Sequence, residues 1–231
     1  MKGKLYLLPC HLGDNSAHRS AVPFLIEIAQ DSSHFIVENV KTARRWLKQL
    51  DRDIVIDDLT FHVLNKHTTP GELSAMLQQA RDGGHVALLS EAGLPCIADP
   101  GAEIVALAHQ QNIQVIPVPG PSAIILALIS SGMNGQNFTF NGYLPKEQAL
   151  RLKKLKELER NCRNHAHIFM ETPFRSHHML EDIINSCNAS TRLCIATDIT
   201  LDSEMIKTRT VGEWKKNPPA LKKRLCVFVI G

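Results

Sequence analysis

His85-Val86-Ala87-Leu88-Leu89-Ser90-Glu91-Ala92-Gly93-Leu94-Pro95-Cys96-Ile97-Ala98-Asp99-Pro100-Gly101 is the stretch whose reading decides the fold. An apolar, strand-length run ends in a loop rich in Gly and Pro, and Pro100-Gly101 then opens a helical pattern. Residues of these types at this spacing hold an unusual but rigid backbone path, which turns carbonyls and amides toward a ligand instead of a ladder. A second stretch has the same plan. Gln114-Val115-Ile116-Pro117-Val118 runs into Pro119-Gly120-Pro121-Ser122-Ala123 ahead of an apolar helix, so small side chains meet a helix N-terminus with free amides. Taken singly, either loop equally fits an ordinary strand-to-helix turn. Ligands of open α/β sheets bind outside the carboxyl ends of the strands, and both loops lie there.

Working outward, short β-rich runs at Leu5 to Leu8, Phe35 to Val37, Phe61 to Leu64, Val86 to Leu89 and Val115 to Val118 alternate with helical patterns. The spacing predicts helices at Ala21 to Ala29, Thr42 to Leu50, Gly71 to Arg81, Gly101 to His109 and Ser122 to Ser131. This alternation predicts an α/β fold, with a mainly parallel, helix-covered sheet in the first half. After Gly132 the pattern changes. Apolar runs at Phe138 to Tyr143, His167 to Met170, Leu193 to Thr197, Thr208 to Val211 and Leu225 to Ile230 are interrupted by two helical stretches, Leu150 to Glu159 and His178 to Asn185. A second α/β domain with a mixed sheet follows, and Ser131-Gly132-Met133-Asn134-Gly135 is the expected hinge. The domains are therefore placed at 1–131 and 132–231.

Composition excludes several classes. The chain of 231 residues is 44% hydrophobic, enough for one large core or two modest ones. Its longest apolar run, Ala123 to Ile129, falls far short of the roughly 20 residues of a membrane-spanning helix, and no export signal is visible. The six cysteines form no C-x-x-C pair and no zinc pattern, so reduced thiols in a cytoplasm are expected, without a metal. His177-His178 is adjacent in sequence, so on a helix the rings are expected to diverge and hold no metal. A net charge of +3 does not by itself imply nucleic acid. Basic groups do occur at Arg44-Arg45 with Lys48, at Arg151, Lys153, Lys154 and Lys156, and at Lys222-Lys223-Arg224. No G-x-G-x-x-G, Walker loop, G-x-S-x-G or H-E-x-x-H is present.

These motifs resemble, in order, the tetrapyrrole-methylase superfamily and within it the ribosomal RNA small-subunit methyltransferase I branch. Ser90 to Gly101 is similar to that branch's S-D-A-G-T-P-x-I-S-D-P-G, with Glu91 for Asp, Leu94 for Thr and Ala98 for Ser, and its P-G-P-S-A stands at Pro119 to Ala123. Its G-F-L-P resembles Gly142-Tyr143-Leu144-Pro145, its E-S-P-x-R resembles Glu171-Thr172-Pro173-Phe174-Arg175, and L-E-D resembles Leu180-Glu181-Asp182. Upstream, A-E-D-T-R is represented by Val37-Glu38-Asn39-Val40-Lys41. The resemblance spans almost the whole chain.

The resemblance implies two α/β domains of tetrapyrrole-methylase type with S-adenosylmethionine in a cleft between them, and a homodimer. It carries cofactor binding to Pro9, Gly93, Leu94, Pro95, Ile97, Ser122 and Ala123, and to Tyr143, Leu144 and Ala196. For Leu94, Ile97 and Ala196, plain core packing is the alternative. If the acceptor is a ribose hydroxyl, its high pKa favours a nearby carboxylate, or a cation that stabilises the alkoxide. Glu38, Lys41, Glu91, Glu171 and Arg175 are the motif residues of the right chemical type. A surface ion pair fits Glu38 with Lys41 equally well, and a loop-anchoring pair fits Glu171 with Arg175. Asp99 also fits as a cap for the helix begun by Pro100-Gly101.

Three departures from the branch stand out. Its T-P-I-G-N-L reads Leu8-Pro9-Cys10-His11-Leu12-Gly13, Lys146-Glu147-Gln148-Ala149-Leu150 replaces a denser basic run, and the helical extension usual after the last strand is absent. The expected function is methylation of a ribose 2'-hydroxyl of small-subunit ribosomal RNA. A methylase of the same fold acting on a small molecule or another RNA, and a non-catalytic cofactor-binding protein, are the alternatives. The expected partners are RNA and a second copy, with no DNA and no membrane.

Overall fold

In the computed structural model, residues 2–14, 16, 19 and 22–231 are described. The chain divides into two compact units, one reaching to Ser122 and one spanning Ala123–Gly231.

The first unit is built on strands β1 (Lys4–Leu8), β2 (His34–Val37), β3 (Thr60–Val63), β4 (Val86–Leu89) and β5 (Gln114–Pro117). All four pairings are parallel, in the order β3-β2-β4-β1-β5. Central β4 is buried at every position while the edges β3 and β5 are half-exposed, as a parallel sheet covered on both faces requires. Helices α1 (Pro23–Asp31) and α2 (Val40–Leu50) bury Leu25, Ile28, Trp46 and Leu47 against one face. Helices α3 (Pro70–Met76), α4 (Gln78–Arg81) and α5 (Gly101–Gln110) bury Leu73, Met76, Ala80 and Ile104 against the other. The strands match the sequence reading; for the first helix, Ala21 lies outside the described residues. One helix was expected over Gly71 to Arg81, but Leu77 interrupts it: its N–H bonds to the carbonyls of Ser74 and Ala75 in a tightened final turn, and α4 starts after it.

Strand order reverses between β4 and β1, since the connections β1 to β3 run one way and those from β3 to β5 run back. That switch point sits below the two Gly/Pro loops.

The second unit opens with α6 (Ala123–Ser131) and carries the sheet β6-β7-β10-β8-β9, from β6 (Phe138–Tyr143), β7 (Ala166–Glu171), β8 (Arg192–Thr197), β9 (Met205–Thr210) and β10 (Cys226–Ile230). Only β6 and β7 are parallel, so the sheet is mixed. Helices α7 (Gln148–Arg160), α8 (Ser176–Ser186) and α9 (Val211–Lys216) cover one face through Leu155, Leu158, Ile183 and Trp214. Helix α6 packs on β7, β8, β9 and β10, and the Thr208 hydroxyl donates to the Ser131 carbonyl at 2.7 Å. The compact units therefore meet upstream of the 131/132 boundary read from the sequence, because α6 buries its apolar side in the second core.

A strand was expected at Thr208 to Val211, and α9 was not expected at all. In the structure Thr210 ends β9 and caps α9: its hydroxyl accepts from Glu213 N–H, and the Glu213 carboxylate accepts from Thr210 N–H at 2.8 Å. Among the described residues no helix is long and apolar enough to cross a membrane.

Candidate functional site

At the carboxyl ends of the first sheet three loops interlock. Gly93 and Cys10 exchange both backbone hydrogen bonds, at 2.9 and 3.0 Å, which ties the loop after β4 to the end of β1. Gly93 has φ +72°, and a Cβ there would stand 3.1 Å from both a Leu12 methyl and the Pro121 carbonyl oxygen. Gly120 is as constrained, since its Cβ would come within 2.2 Å of the Pro9 ring. A Cβ would collide at Gly120 and would join a positive φ to tight contacts at Gly93, so Pro9, Gly93 and the 119–122 loop share one small floor. Pro9, Pro95 and Ser122 are buried in it, and Leu94 and Ala123 are half-buried.

Beyond Pro95 the backbone is strained: Cys96 and Ala98 hold φ of +69° and +63°. Each such residue costs on the order of 1–3 kcal/mol and persists only where its surroundings over-determine it. Here Asp99 does so, accepting from the N–H of Cys96 at 2.9 Å and of Gly101 at 2.7 Å. Asp99 therefore closes the loop as well as serving the first turn of α5. The path leaves Ile97 at the tip, 40% exposed. Burial and the Asp99 charge push the Cys96 thiol up to about 11, which keeps it a thiol and not a nucleophile.

A group of carboxylates lies beside this floor. Glu38, at the end of β2, has its pKa raised, first by burial and then by the charges of Asp99 and Glu91; a hydrogen bond from the Glu91 backbone works the other way. The Thr42 hydroxyl, in the first turn of α2, donates to Glu91 at 2.6 Å. Asn39 caps α2 by accepting from Lys41 N–H and Thr42 N–H. Among the described residues no ion pair joins Glu38 to Lys41, so the surface-pair alternative fails for these two. Burial, then Glu91 and Glu38, raise the Cys10 thiol far above its ordinary value, so that thiol is inert.

Sequence reasoning missed two contributors. Thr42 carried no motif signal. His11 appeared only as a departure, yet its Nδ1 is buried without a hydrogen-bond partner and burial lowers its pKa against the opposing charge of Asp14.

The second-unit candidates are differently placed. Tyr143 ends β6 with 56% of its surface exposed, whereas Leu144 is buried and Ala196 lies wholly within the core on β8. Glu171 is buried and paired with Arg175 at 2.9 Å, and its other oxygen accepts from Thr172 N–H at 2.7 Å. The L-E-D motif is explained by a buried ion pair. Asp182 meets Arg151 at 2.6 Å, Gln148 donates to it at 2.8 Å, and Arg151 also donates to the carbonyls of Pro145 and Lys146. This network fixes the segment that follows Tyr143 and Leu144. It also turns Arg151 inward, so Arg151 is lost from the basic group read on α7. The His177 and His178 rings do not diverge: their centroids stand 4.9 Å apart, and with Glu181 their ligand atoms lie within 4.8 Å of one another. All three are exposed in the first turns of α8, where the positive helix end opposes a cation. An open recess of about 440 Å³, lined by residues such as Gln30, Asp53 and Leu59, lies at the amino ends of β2 and β3, away from the switch point.

Residues 26–215 match the family model for tetrapyrrole (corrin/porphyrin) methylases. A ribosomal RNA small subunit methyltransferase I from Synechocystis sp. is 31% identical over 99% of this chain and 79% of that protein. The chain belongs to the tetrapyrrole methylase family, in its ribosomal RNA small-subunit methyltransferase I branch. The protein of the same description from Buchnera aphidicola subsp. Schizaphis graminum is 30% identical over 99% of this chain and 78% of its own length. Among solved structures, the methyltransferase CobJ covers 99% of this chain and 94% of its own with a TM-score of 0.65 at 16% identity. The cobalt precorrin-4 methyltransferase CbiF gives 0.62 at 14% identity, with the same coverage of both chains. This tetrapyrrole methylase is thus a methyltransferase that uses S-adenosylmethionine. The first-unit floor carries groups that fit such a cofactor: the exposed apolar Ile97, and three carboxylates, free of ion pairs among the described residues, that would favour a sulfonium.

Proposed function

We propose that this methyltransferase methylates a ribose 2'-hydroxyl of small-subunit ribosomal RNA, as a cytoplasmic homodimer. The observation that carries the reading is near-full-length similarity to proteins named for that RNA, joined to a carboxylate of raised proton affinity at the switch point. S-Adenosylmethionine supplies an already activated methyl electrophile, so the chain must align the nucleophile, exclude water and take one proton. A ribose hydroxyl needs that proton acceptor. Glu38 is our assignment, because a base with a pKa moved toward neutrality both holds and accepts the proton better. As the ribose oxygen takes the methyl group, its proton passes to the Glu38 carboxylate. Glu91, held by Thr42, keeps that carboxylate in place through its backbone N–H. Lys41, exposed in the first turn of α2, is assigned to an RNA phosphate near the acceptor. Pro9, Gly93, Leu94, Pro95, Ile97, Ser122 and Ala123 form the cofactor floor in this account; of the remaining candidates Tyr143 is exposed, whereas the buried Leu144 and Ala196 fit core packing. Glu171 and Arg175 form an ion pair with one another, and we assign them to positioning their loop.

The homodimer is supported by α6, which is apolar around its circumference. Its inner side buries Ile124, Ala127 and Leu128, while Ile125 and Ile129 remain 41% and 69% exposed, a face that a second copy would cover. Six cysteines that all remain thiols agree with a cytoplasmic location.

The test is incubation of the protein with labelled S-adenosylmethionine and small ribosomal subunits from a strain lacking it. Label in ribose-methylated RNA is the expected result. Label confined to small molecules, or no transfer despite cofactor binding, would overturn the reading.

A further inference from the structure

One end of the second sheet presents an aromatic ring where a core residue would not be left. Phe174 is 80% exposed, yet the loop that carries it is firmly held. Thr172 O accepts from the N–H groups of Arg175 and Ser176 at 2.9 and 3.0 Å, and the Glu171–Arg175 pair closes the loop from below. From the other side, Lys223 N–H donates to the Pro173 carbonyl at 3.0 Å, and the Ser176 hydroxyl donates to the Leu221 carbonyl at 2.7 Å. The loop that carries the ring is therefore fixed against the turn that bears Lys222 and Lys223. Both lysines are exposed, and neither side chain has an ion-pair partner among the described residues. The neighbouring acids are already committed, Glu171 to Arg175 and Asp198 to Arg224 at 2.7 Å.

We propose that Phe174 with Lys222 and Lys223 is a docking surface for single-stranded RNA, on which one base stacks while the lysines meet the flanking phosphates. This deepens the reading of the protein as an RNA methyltransferase and rests on it. The backbone under the ring is already fixed, so only the side chain is ordered on stacking, and the turn bonded to that loop offers two exposed lysines to the flanking phosphates. Of the three basic groups in the sequence, this one keeps two uncommitted charges next to an aromatic. Arg44 is drawn to Asp57 and Phe61, and on α7 Arg151 is buried, Lys154 is paired with Glu157, and the exposed Lys153 and Lys156 have no aromatic residue in their helix.

The test measures binding of a short, fluorescently labelled single-stranded RNA by anisotropy across a salt series, with cofactor binding and sedimentation measured in parallel. Phe174→Ala is expected to weaken RNA binding about tenfold or more, and Phe174→Trp to restore it. Lys222→Ala with Lys223→Ala is expected to lower the salt slope by about 0.7 per lysine. Cofactor affinity should stay at the wild-type value in all of them. Wild-type RNA affinity in both the Phe174→Ala and the double-lysine protein would overturn the proposal, as would absence of RNA binding by the wild type. So would a change confined to self-association, which would assign the ring to a second copy. Failure to methylate ribosomal subunits with these binding effects intact would instead defeat the proposed acceptor and leave the surface standing.

Discussion

The loops at the carboxyl ends of the first sheet and the charged motifs of the second unit use similar residues in opposite ways. In the second unit every buried charge of a motif is matched: Arg151 with Asp182, and Glu171 with Arg175. In the first, Glu38 is crowded by Glu91 and Asp99, and among the described residues no cation pairs with it. Among those residues His11 also keeps a buried nitrogen unpartnered, and Cys96 and Ala98 hold strained backbone. Balanced pairs build a scaffold. Imbalance costs stability and is retained where a ligand or a proton will occupy it.

The sharpest way to break this comparison is to unbalance the scaffold. Asp182→Ala leaves the buried Arg151 without a counter-charge and should cost about 3–5 kcal/mol in urea unfolding. A loss below 1 kcal/mol would mean that the pair is not structural. The floor should be less costly to disturb but more damaging to binding. Gly120→Ala drives a Cβ into Pro9, with an expected cost of about 1–3 kcal/mol and a clear rise in KM for S-adenosylmethionine. An unchanged KM would remove the 119–122 loop from the cofactor site.

Acid should reveal the unpartnered histidines. Burial lowers the pKa values of His11, His62 and His167 in the fold, so the unfolded chain takes the proton first. The stability they contribute is full above the unfolded value of about 6.5 and is lost as pH falls from there through the folded values. Glu38 has the opposite sign: its raised pKa favours the fold below the unfolded carboxylate value and costs stability as pH rises through the folded one. Thermal melts between pH 4 and 8, with His167→Phe to flatten part of the decline, would check the first window. A flat wild-type profile would contradict it. Smallest of all, Ala98→Gly relieves a left-handed residue at the expense of chain entropy. It should change stability by less than about 1 kcal/mol in calorimetry, where the same substitution in a helix is destabilising.

Much of the first sheet was legible because each parallel strand is a compact apolar run punctuated by Gly, Pro or a cap, as at Val86–Leu89 before Ser90. The unit boundary was not: α6 is apolar on all sides, and nothing in Ala123 to Ser131 tells which core receives it. Helix α9 was legible through Thr210 and Glu213 but was overridden by the β-forming run that leads into it. At the site, the glycines and prolines announced themselves, whereas the electrostatics did not. That Asp99 and Glu91 raise the proton affinity of Glu38 depends on β2 and β4 lying side by side, which sequence spacing does not encode. Equally, Glu171 and Glu38 look alike in their motifs, and only the structure shows one paired in charge with an arginine and the other left among like charges.

That contrast between Glu38 and Glu171 is tested most directly by the pH dependence of methyl transfer in Glu38→Gln and Glu171→Gln proteins, read as kcat and KM for the cofactor. The wild-type rate should fall as pH drops through the Glu38 pKa, which lies above the ordinary carboxylate value of about 4.3. Glu38→Gln should lose about a hundredfold or more in kcat together with that acidic limb, at unchanged KM. Glu171→Gln should keep the limb and lose mainly stability. A Glu38→Gln enzyme with wild-type kcat and profile would contradict the account.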